Sequence, residues 1–389
     1  MRKKLFKLLP VCICCALLCS CNSSNNNVMI INLADAVNNN VEVINLSKIA
    51  KSIKYIPLET REDALIGDIP RLAYDGKYIL VADVTPATIN VFDKDGKFVR
   101  RINRMGRGPE EYMSINNISF LNGNIAIATG SDIIEYDIMG NFVRRITAPE
   151  IDGYSTFFSV AISENRYISS LTNTKESMEY YAVVYDSLQN IHRMVATDSD
   201  FKESYLGTTD FQEPIRPAMI FLYSDACRIF YPESKAIASL DKFNVIDTAY
   251  VIDYGSFQVP GGMLANASAS SRHISPMGFV ESKDYLFMSM ATRAVFSGTF
   301  RSYFLYDKRT MKTSVVYDDT ENRRGFKDDI AGGIEFWPHI AFGERTLLSS
   351  IDAISLIEYP YSNISKELND IVSSLKEDSN PVVMIVELK

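Results

Sequence analysis

A seven-residue pattern stands twice in this chain. Gly96-Lys97-Phe98-Val99-Arg100-Arg101-Ile102 is echoed by Gly140-Asn141-Phe142-Val143-Arg144-Arg145-Ile146, an offset of 44 residues. A period of about 40–50 residues built from short strands is the mark of a β-propeller blade. Around the first copy, residues 77–82 form an apolar run and residues 87–92 alternate and are rich in β-formers. Asp95-Gly96 is the dipeptide of a tight hairpin, because Gly accepts a positive φ there, and residues 97–102 return as the next strand. Three strands joined by short turns are a β-meander, and a blade adds one more.

The same grammar recurs over residues 124–146, 166–194, 228–252 and 285–317. An Asp ends the middle strand each time: Asp93, Asp137, Asp186, Asp241 and Asp307, separated by 44, 49, 55 and 66 residues. The widening gaps place insertions between the later blades, in loops where binding usually resides. A sixth blade must be assembled from both ends. Residues 346–351 and 353–358 read as strands, residues 381–388 as a terminal strand, and residues 53–58 as its outer partner. Pairing the two ends closes the ring and removes an exposed sheet edge. Between them Ile364, Leu368, Ile371, Val372 and Leu375 form one apolar helical stripe. The expected fold is all-β: a six-bladed β-propeller of four-stranded antiparallel blades with one short C-terminal helix. A seventh blade would have to lie within residues 255–280.

The N-terminus reads differently. Arg2, Lys3, Lys4 and Lys7 precede the apolar stretch 8–18, which has signal-peptide length and is too short to span a bilayer. Leu18-Cys19-Ser20-Cys21 is similar to a bacterial lipoprotein box, which implies cleavage before Cys21 and a diacylglycerol on its sulfur. The expected organisation is a signal peptide over residues 1–20, a lipidated Cys and flexible tether over 21–40, and the propeller over 41–389. Five of the six cysteines lie at or before Cys21, so Cys227 has no partner for a disulfide in the body and reads as a core residue. Removing residues 1–20 takes away four basic and no acidic residues, moving the net charge from −8 to −12. That argues against nucleic acid and against electrostatic docking to anionic lipid.

Three further stretches point the same way. Tyr55-Ile56-Pro57-Leu58-Glu59-Thr60 is followed by Leu65-Ile66-Gly67-Asp68-Ile69; Gly106-Arg107-Gly108-Pro109-Glu110-Glu111-Tyr112 closes the first unit; and residues 328–338 read Asp-Asp-Ile-Ala-Gly-Gly-Ile-Glu-Phe-Trp-Pro. Together they resemble the six-bladed β-propeller lipoproteins common in Bacteroidota, TolB-like or NHL-like in fold. The resemblance spans residues 41–389 and implies fold and location but no catalytic residues. The last motif usually carries Asp where this chain has Ala331, so no polar role is implied there.

Each chemical motif competes with a plainer reading. Asp93-Lys94-Asp95-Gly96 lacks the remaining ligands of a calcium loop and reads as a turn. Gly106-Arg107-Gly108-Pro109 lacks the Lys-Ser/Thr of a phosphate loop and reads as an inter-blade connection, with Arg107 able to face a ligand. His192, His273 and His339 have no metal spacing. Arg272-His273 and Pro338-His339 lie in loops that could meet at one end of the central channel. Trp337 offers a flat surface for a sugar and Arg323-Arg324 could pair with an anion, unless Trp337 plugs a gap between blades. The candidate ligand contacts are therefore Arg107, Arg272, His273, Arg323, Arg324, Trp337 and His339, with no catalytic residue, metal or cofactor assigned. The expected function is a lipid-anchored binding module of the cell envelope, held at the outer membrane through Cys21, with a glycan, peptide or envelope protein as partner and no nucleic acid. A glycan- or small-molecule-cleaving hydrolase or lyase is the rival, and an accessory subunit of an uptake or sensing assembly is a third reading.

Overall fold

The computed structural model describes residues 28–67, 71–84, 86–172, 179–196, 217–224, 226–232, 234–258, 272–293, 295–296, 301–316, 325–361 and 363–389. The chain begins with a strap: β1 (Met29–Asn32), α1 (Leu33–Asn39) and β2 (Val41–Glu42), followed by β3 (Ala50–Pro57). Blade 1 comprises β4 (Arg71–Tyr74), β5 (Tyr78–Val84), β6 (Ala87–Asp93) and β7 (Phe98–Ile102). Blade 2 comprises β8 (Asn117–Leu121), β9 (Asn124–Thr129), β10 (Asp132–Tyr136) and β11 (Phe142–Thr147). Blade 3 comprises β12 (Ser155–Ser163), β13 (Arg166–Thr172), β14 (Tyr180–Tyr185) and β15 (Ile191–Ala196). Blade 4 holds β16 (Met219–Tyr223), β17 (Ala226–Phe230), β18 (Ala236–Leu240) and β19 (Ile246–Asp253). Blade 5 holds β20 (His273–Glu281), β21 (Tyr285–Arg293), β22 (Arg301–Asp307) and β23 (Lys312–Val316). Blade 6 takes β24 (Ile340–Phe342), β25 (Thr346–Ile351) and β26 (Val382–Leu388) from the end of the chain and β3 from its start. The six sheets are antiparallel, and β1 and β2 add parallel fifth strands to the rims of blades 4 and 5.

Period-2 geometry explains the core. Successive side chains of a strand point to opposite faces of its sheet. In β5, Ile79 and Val81 enter the seam between blades 6 and 1, whereas Leu80 and Ala82 enter the seam between blades 1 and 2. In β9, Ile125 and Ile127 face blade 1, and Ala126 faces blade 3. The apolar clusters of the described residues correspond one to one with the six seams. This double burial is why such strands read as unbroken apolar runs rather than as alternating ones.

The repeated residues latch neighbouring units. Arg100 on β7 donates to Met139 O in blade 2, and Arg144 on β11 donates to Glu164 O in blade 3 (2.9 Å). Arg101 donates to Leu65 O (2.6 Å), and Arg145 donates to Pro109 O (3.0 Å), 44 residues further on. A guanidinium suits this task because its fixed fork serves several carbonyls at once. The Arg pairs are therefore inter-unit clamps, not the solvated edge charges that an outer strand suggests. The repeated Asp has an equally local role. Asp93 Oδ1 accepts from the backbone N–H of Asp95 and Lys97, and Asp186 and Asp241 serve their own turns in the same way.

Three segments differ from expectation. Residues 353–358 are helical, giving α2 (Ala353–Glu358), because Asp352 caps the segment by accepting from Ser355 N (2.7 Å) and Ala353 and Leu356 share its buried face. The inner strand of blade 6 is β24 instead. Within the span 21–40, the described residues 29–39 form β1 and α1, with Ile31, Leu33 and Ala36 fully buried against blades 4 and 5, and residues 21–27 lie outside the described residues. The helices are α1, α2 and α3 (Lys366–Ser374) among the described residues, and α3 buries the expected stripe against blade 6. Of the span 255–280, where a seventh blade would have to lie, residues 273–280 belong to β20, the inner strand of blade 5, and residues 259–271 lie outside the described residues.

The seam between blades 4 and 5 contains a buried charge cluster. Glu281 accepts from Arg228 Nε (2.8 Å), Lys308 Nζ (2.8 Å) and Tyr250 Oη (2.7 Å). Burial alone would raise the Glu281 pKa, but the two cations hold it below the ordinary carboxylate value. Removing the anion leaves two buried cations without their partner, so Glu281→Ala should lower the unfolding free energy by about 3–5 kcal/mol. Urea unfolding followed by circular dichroism measures this, and an unchanged midpoint would refute the structural role of the cluster.

Candidate functional site

Strand direction assigns every loop to one of two faces. The first strand of each blade is innermost, and alternate strands run in opposite directions. Turns joining first to second and third to fourth strands thus lie on one face, here the turn face. Links from second to third strands, and from blade to blade, lie on the other, the connection face. The inner strands β4, β8, β12, β16, β20 and β24 surround the axis.

On the connection face, blades 5 and 6 bring together a set of basic side chains. His273 opens β20 and faces Arg293, the last residue of β21. Arg301 opens β22, one strand further out, opposite Ala291. His339 immediately precedes β24 and extends its ladder by donating its N–H to Leu348 O (2.8 Å). His273 is buried, while Arg272, Arg293 and Arg301 are exposed. The Arg272 guanidinium lies 5.1 Å from the centre of the Phe257 ring. Thr292 and Ser302, next to Arg293 and Arg301 in sequence but on the opposite, blade 4 side of the sheet, join through buried hydroxyls 2.9 Å apart.

Electrostatics tie His339 to this set. Its side chain retains solvent contact yet is crowded by protein. Desolvation, reinforced by the Arg301 cation, moves its imidazole below the ordinary histidine range. Several acidic groups of the described adjoining residues make structural hydrogen bonds. Asp328 accepts from Tyr55 Oη (2.8 Å) and from the N–H groups of Ile330, Ala331 and Gly333. Asp329 accepts from Ser47, Glu335 from Tyr359, and Asp352 from Ser355. Gly333 is required by this arrangement, because a Cβ there would lie 2.0 Å from Tyr55 Oη. The Asp-Asp-Ile-Ala-Gly-Gly stretch thus fastens blade 6 to the segment entering it.

The other candidates separate. Trp337 is buried in the seam between blades 5 and 6, stacked on Tyr303 (4.3 Å) and Phe326 (5.6 Å), and donates to Ser289 Oγ (3.2 Å). Both faces of its ring are covered. Arg107 is exposed in the connection between blades 1 and 2, on the same face but elsewhere around the ring. The glycine-rich turn beside it holds its own anion: Gly108 N–H donates to Glu111 Oε2 (2.8 Å), and a Cβ on Gly106 would sit 1.9 Å from that oxygen. Arg323 and Arg324 lie outside the described residues. His192 pairs with Asp186 on the turn face (3.3 Å). Cys227 is fully buried and its thiol is pushed up to about 12, which leaves essentially no thiolate at neutral pH. Among the described residues no His, Cys, Asp and Glu form a group that could hold a metal ion. Sequence reasoning passed over Arg293 and Arg301. Counting strand directions from His273 would have placed them, since they flank the link between the second and third strands of the same blade.

Solved structures share this architecture. A Bacteroides fragilis NCTC 9343 protein called an exported protein aligns at 18% identity and TM-score 0.69, covering 93% of this chain and 99% of that one. A member of the DUF4221 family from Bacteroides vulgatus ATCC 8482 aligns at 12% identity and TM-score 0.53, covering 90% and 98%. At these identities the likeness concerns the fold. No protein of curated function matches the sequence. Among the described residues no helix is long and apolar enough to cross a membrane. The family profile described as domain of unknown function DUF4934 matches residues 28–387, and the chain belongs to that family.

Proposed function

We propose that this propeller is a lipid-anchored binding module of the cell envelope, and that it takes an anionic ligand at the connection-face mouth between blades 5 and 6. The carrying observation is the convergence of Arg272, His273, Arg293, Arg301 and His339 from four separate strand ends in a chain whose net charge is strongly negative. Guanidinium groups suit carboxylate, sulfate or phosphate groups, with bidentate geometry supplying specificity. Cys21, acylated at the outer membrane, would hold the module at its working surface. The glycan partner of this reading is an acidic one.

Calorimetric titration of the Cys21→Ser chain with carboxylated or sulfated oligosaccharides should show salt-sensitive binding, with neutral counterparts inert. Arg293→Ala and Arg301→Ala should each weaken it about tenfold, the equivalent of one lost charge-assisted hydrogen bond. Binding of neutral sugars that ignores both substitutions would refute the site. In cells, Cys21→Ser should move the protein from the membrane to the soluble fraction; a membrane-bound, acylated variant would refute the anchor.

The site also sets a pH dependence. With its pKa lowered in the folded state, His339 binds fewer protons folded than unfolded as pH falls through the ordinary histidine value. Stability therefore declines over that interval and is unaffected at higher pH. His339→Gln should reduce the drop in urea midpoint between about pH 7.5 and about pH 5.5, and Arg301→Gln should raise the His339 midpoint in an NMR titration.

A further inference from the structure

The turn face carries an apolar arc that the fold does not need. The turns joining third and fourth strands are built alike: the Asp carboxylate ties the turn to its own backbone, and the chain reverses through a residue of positive φ. Gly140, Gln189, Asn244 and Met311 occupy that position in blades 2 to 5. Such geometry asks for Asp, Asn and Gly, and it leaves the tip residue open to choice. The tips are Met139, Leu188 and Phe243, with Met311 in the longer turn of blade 5. Their exposures are 54, 79, 74 and 69%. Ile191 and Val245, beside two of them, are also exposed. Blade 1 places Asp95 at its tip, and blade 6 has no such turn because β26 and β3 come from opposite ends of the chain. The apolar residues therefore occupy one continuous arc over blades 2 to 5.

The N-terminal strand enters at this arc. β1 runs parallel to β19 with Met29 opposite Tyr250, and β19 starts from the turn that carries Phe243. The chain before Met29 thus meets blade 4 from the turn-face side. Tyr250 lies four residues above the start of β19, about 13 Å at strand spacing. Eight residues separate Cys21 from Met29, a reach of at most about 29 Å. An acyl chain on Cys21 can therefore enter a bilayer that the turn face touches.

We infer that the turn face is a membrane-docking surface, with Met139, Leu188, Phe243 and Met311 dipping into the lipid interface beside the anchor. The inference rests on the lipid-anchor reading above. Lys242 and Arg309 stand in the turns of blades 4 and 5, where long basic side chains reach headgroups while the tips enter the apolar layer. The connection-face mouth then points away from the membrane.

The test uses the full lipidated chain in phosphatidylcholine–phosphatidylglycerol vesicles, with an environment-sensitive fluorophore on Leu188→Cys or, as the opposite face, on Arg107→Cys. The body's own Cys227 is buried and escapes labelling. Nitroxide-bearing lipids should quench the label at position 188 and spare that at 107. Replacing Met139, Phe243 and Met311 with Ser should abolish the quenching at 188 while the protein stays on the vesicles. Equal quenching at both positions, at neither, or at 107 alone overturns the docking face. Mass spectrometry of the N-terminal peptide reports the acyl group separately: its absence overturns the anchor and the orientation with it, whereas an acylated chain without quenching at 188 overturns the docking face alone. An apolar environment of the fluorophore at 188 that is unchanged when the vesicles are left out would identify a second copy of the chain, or detergent, as the occupant and also contradict the inference.

Discussion

The pairing of β26 with β3 is the constraint on which the rest depends. A propeller has no central core. Its stability lies in seams, and each blade is flanked by two of them. Val382 to Leu388 pair with Pro57 back to Ala50, joining the end of the chain to its start. Without that pairing, blade 6 would lose its outer strand. The seam against blade 1, formed by Leu58, Leu72, Ile79, Val81, Phe92, Leu348, Val383 and Ile385, would lose its enclosure. The strap of β1, α1 and β2 extends the same logic by covering the rims of blades 4 and 5. The Asp328 segment fastens β3 through Tyr55.

Legibility in the sequence followed burial. Strands buried on both faces, such as β5 and β9, stand out as apolar runs, and the turn Asp marks their spacing. The inner strands β4, β16 and β24 are short, and one edge of each faces the axis, so they carry little pattern. Residues 353–358 misled because Ala353, Ser355 and Ile357 alternate acceptably for a strand, whereas the cap at Asp352 selects a helix. The Arg pairs of the echo were visible as residues but not as contacts. Their partners are backbone carbonyls twenty or more positions away, and a carbonyl leaves no trace in a sequence. Arg272, His273 and His339 were legible as loop residues near the axis. Arg293 and Arg301 were not, because only the direction of β21 and β22 brings them to the same end.

The two faces of the ring divide the chemistry. The connection face gathers arginine and histidine side chains from blades 5 and 6, and the turn face presents apolar tips along blades 2 to 5. The scaffold permits this because strand alternation sends every second link to the same side. The charged cluster around Glu281 and the Trp337 stack belong to the seams themselves, and they hold blades 4, 5 and 6 in the arrangement that positions the mouth.

Native-state hydrogen exchange on β3 and β26 tests the central dependence on closure most directly. If closure supports every seam, their amides exchange only through global unfolding, with the protection of β5 and β9 and the same response to urea. Exchange of β3 by local opening, while the strands of blades 1 to 5 remain fully protected, would show that the ring stands without its clasp and would contradict the account.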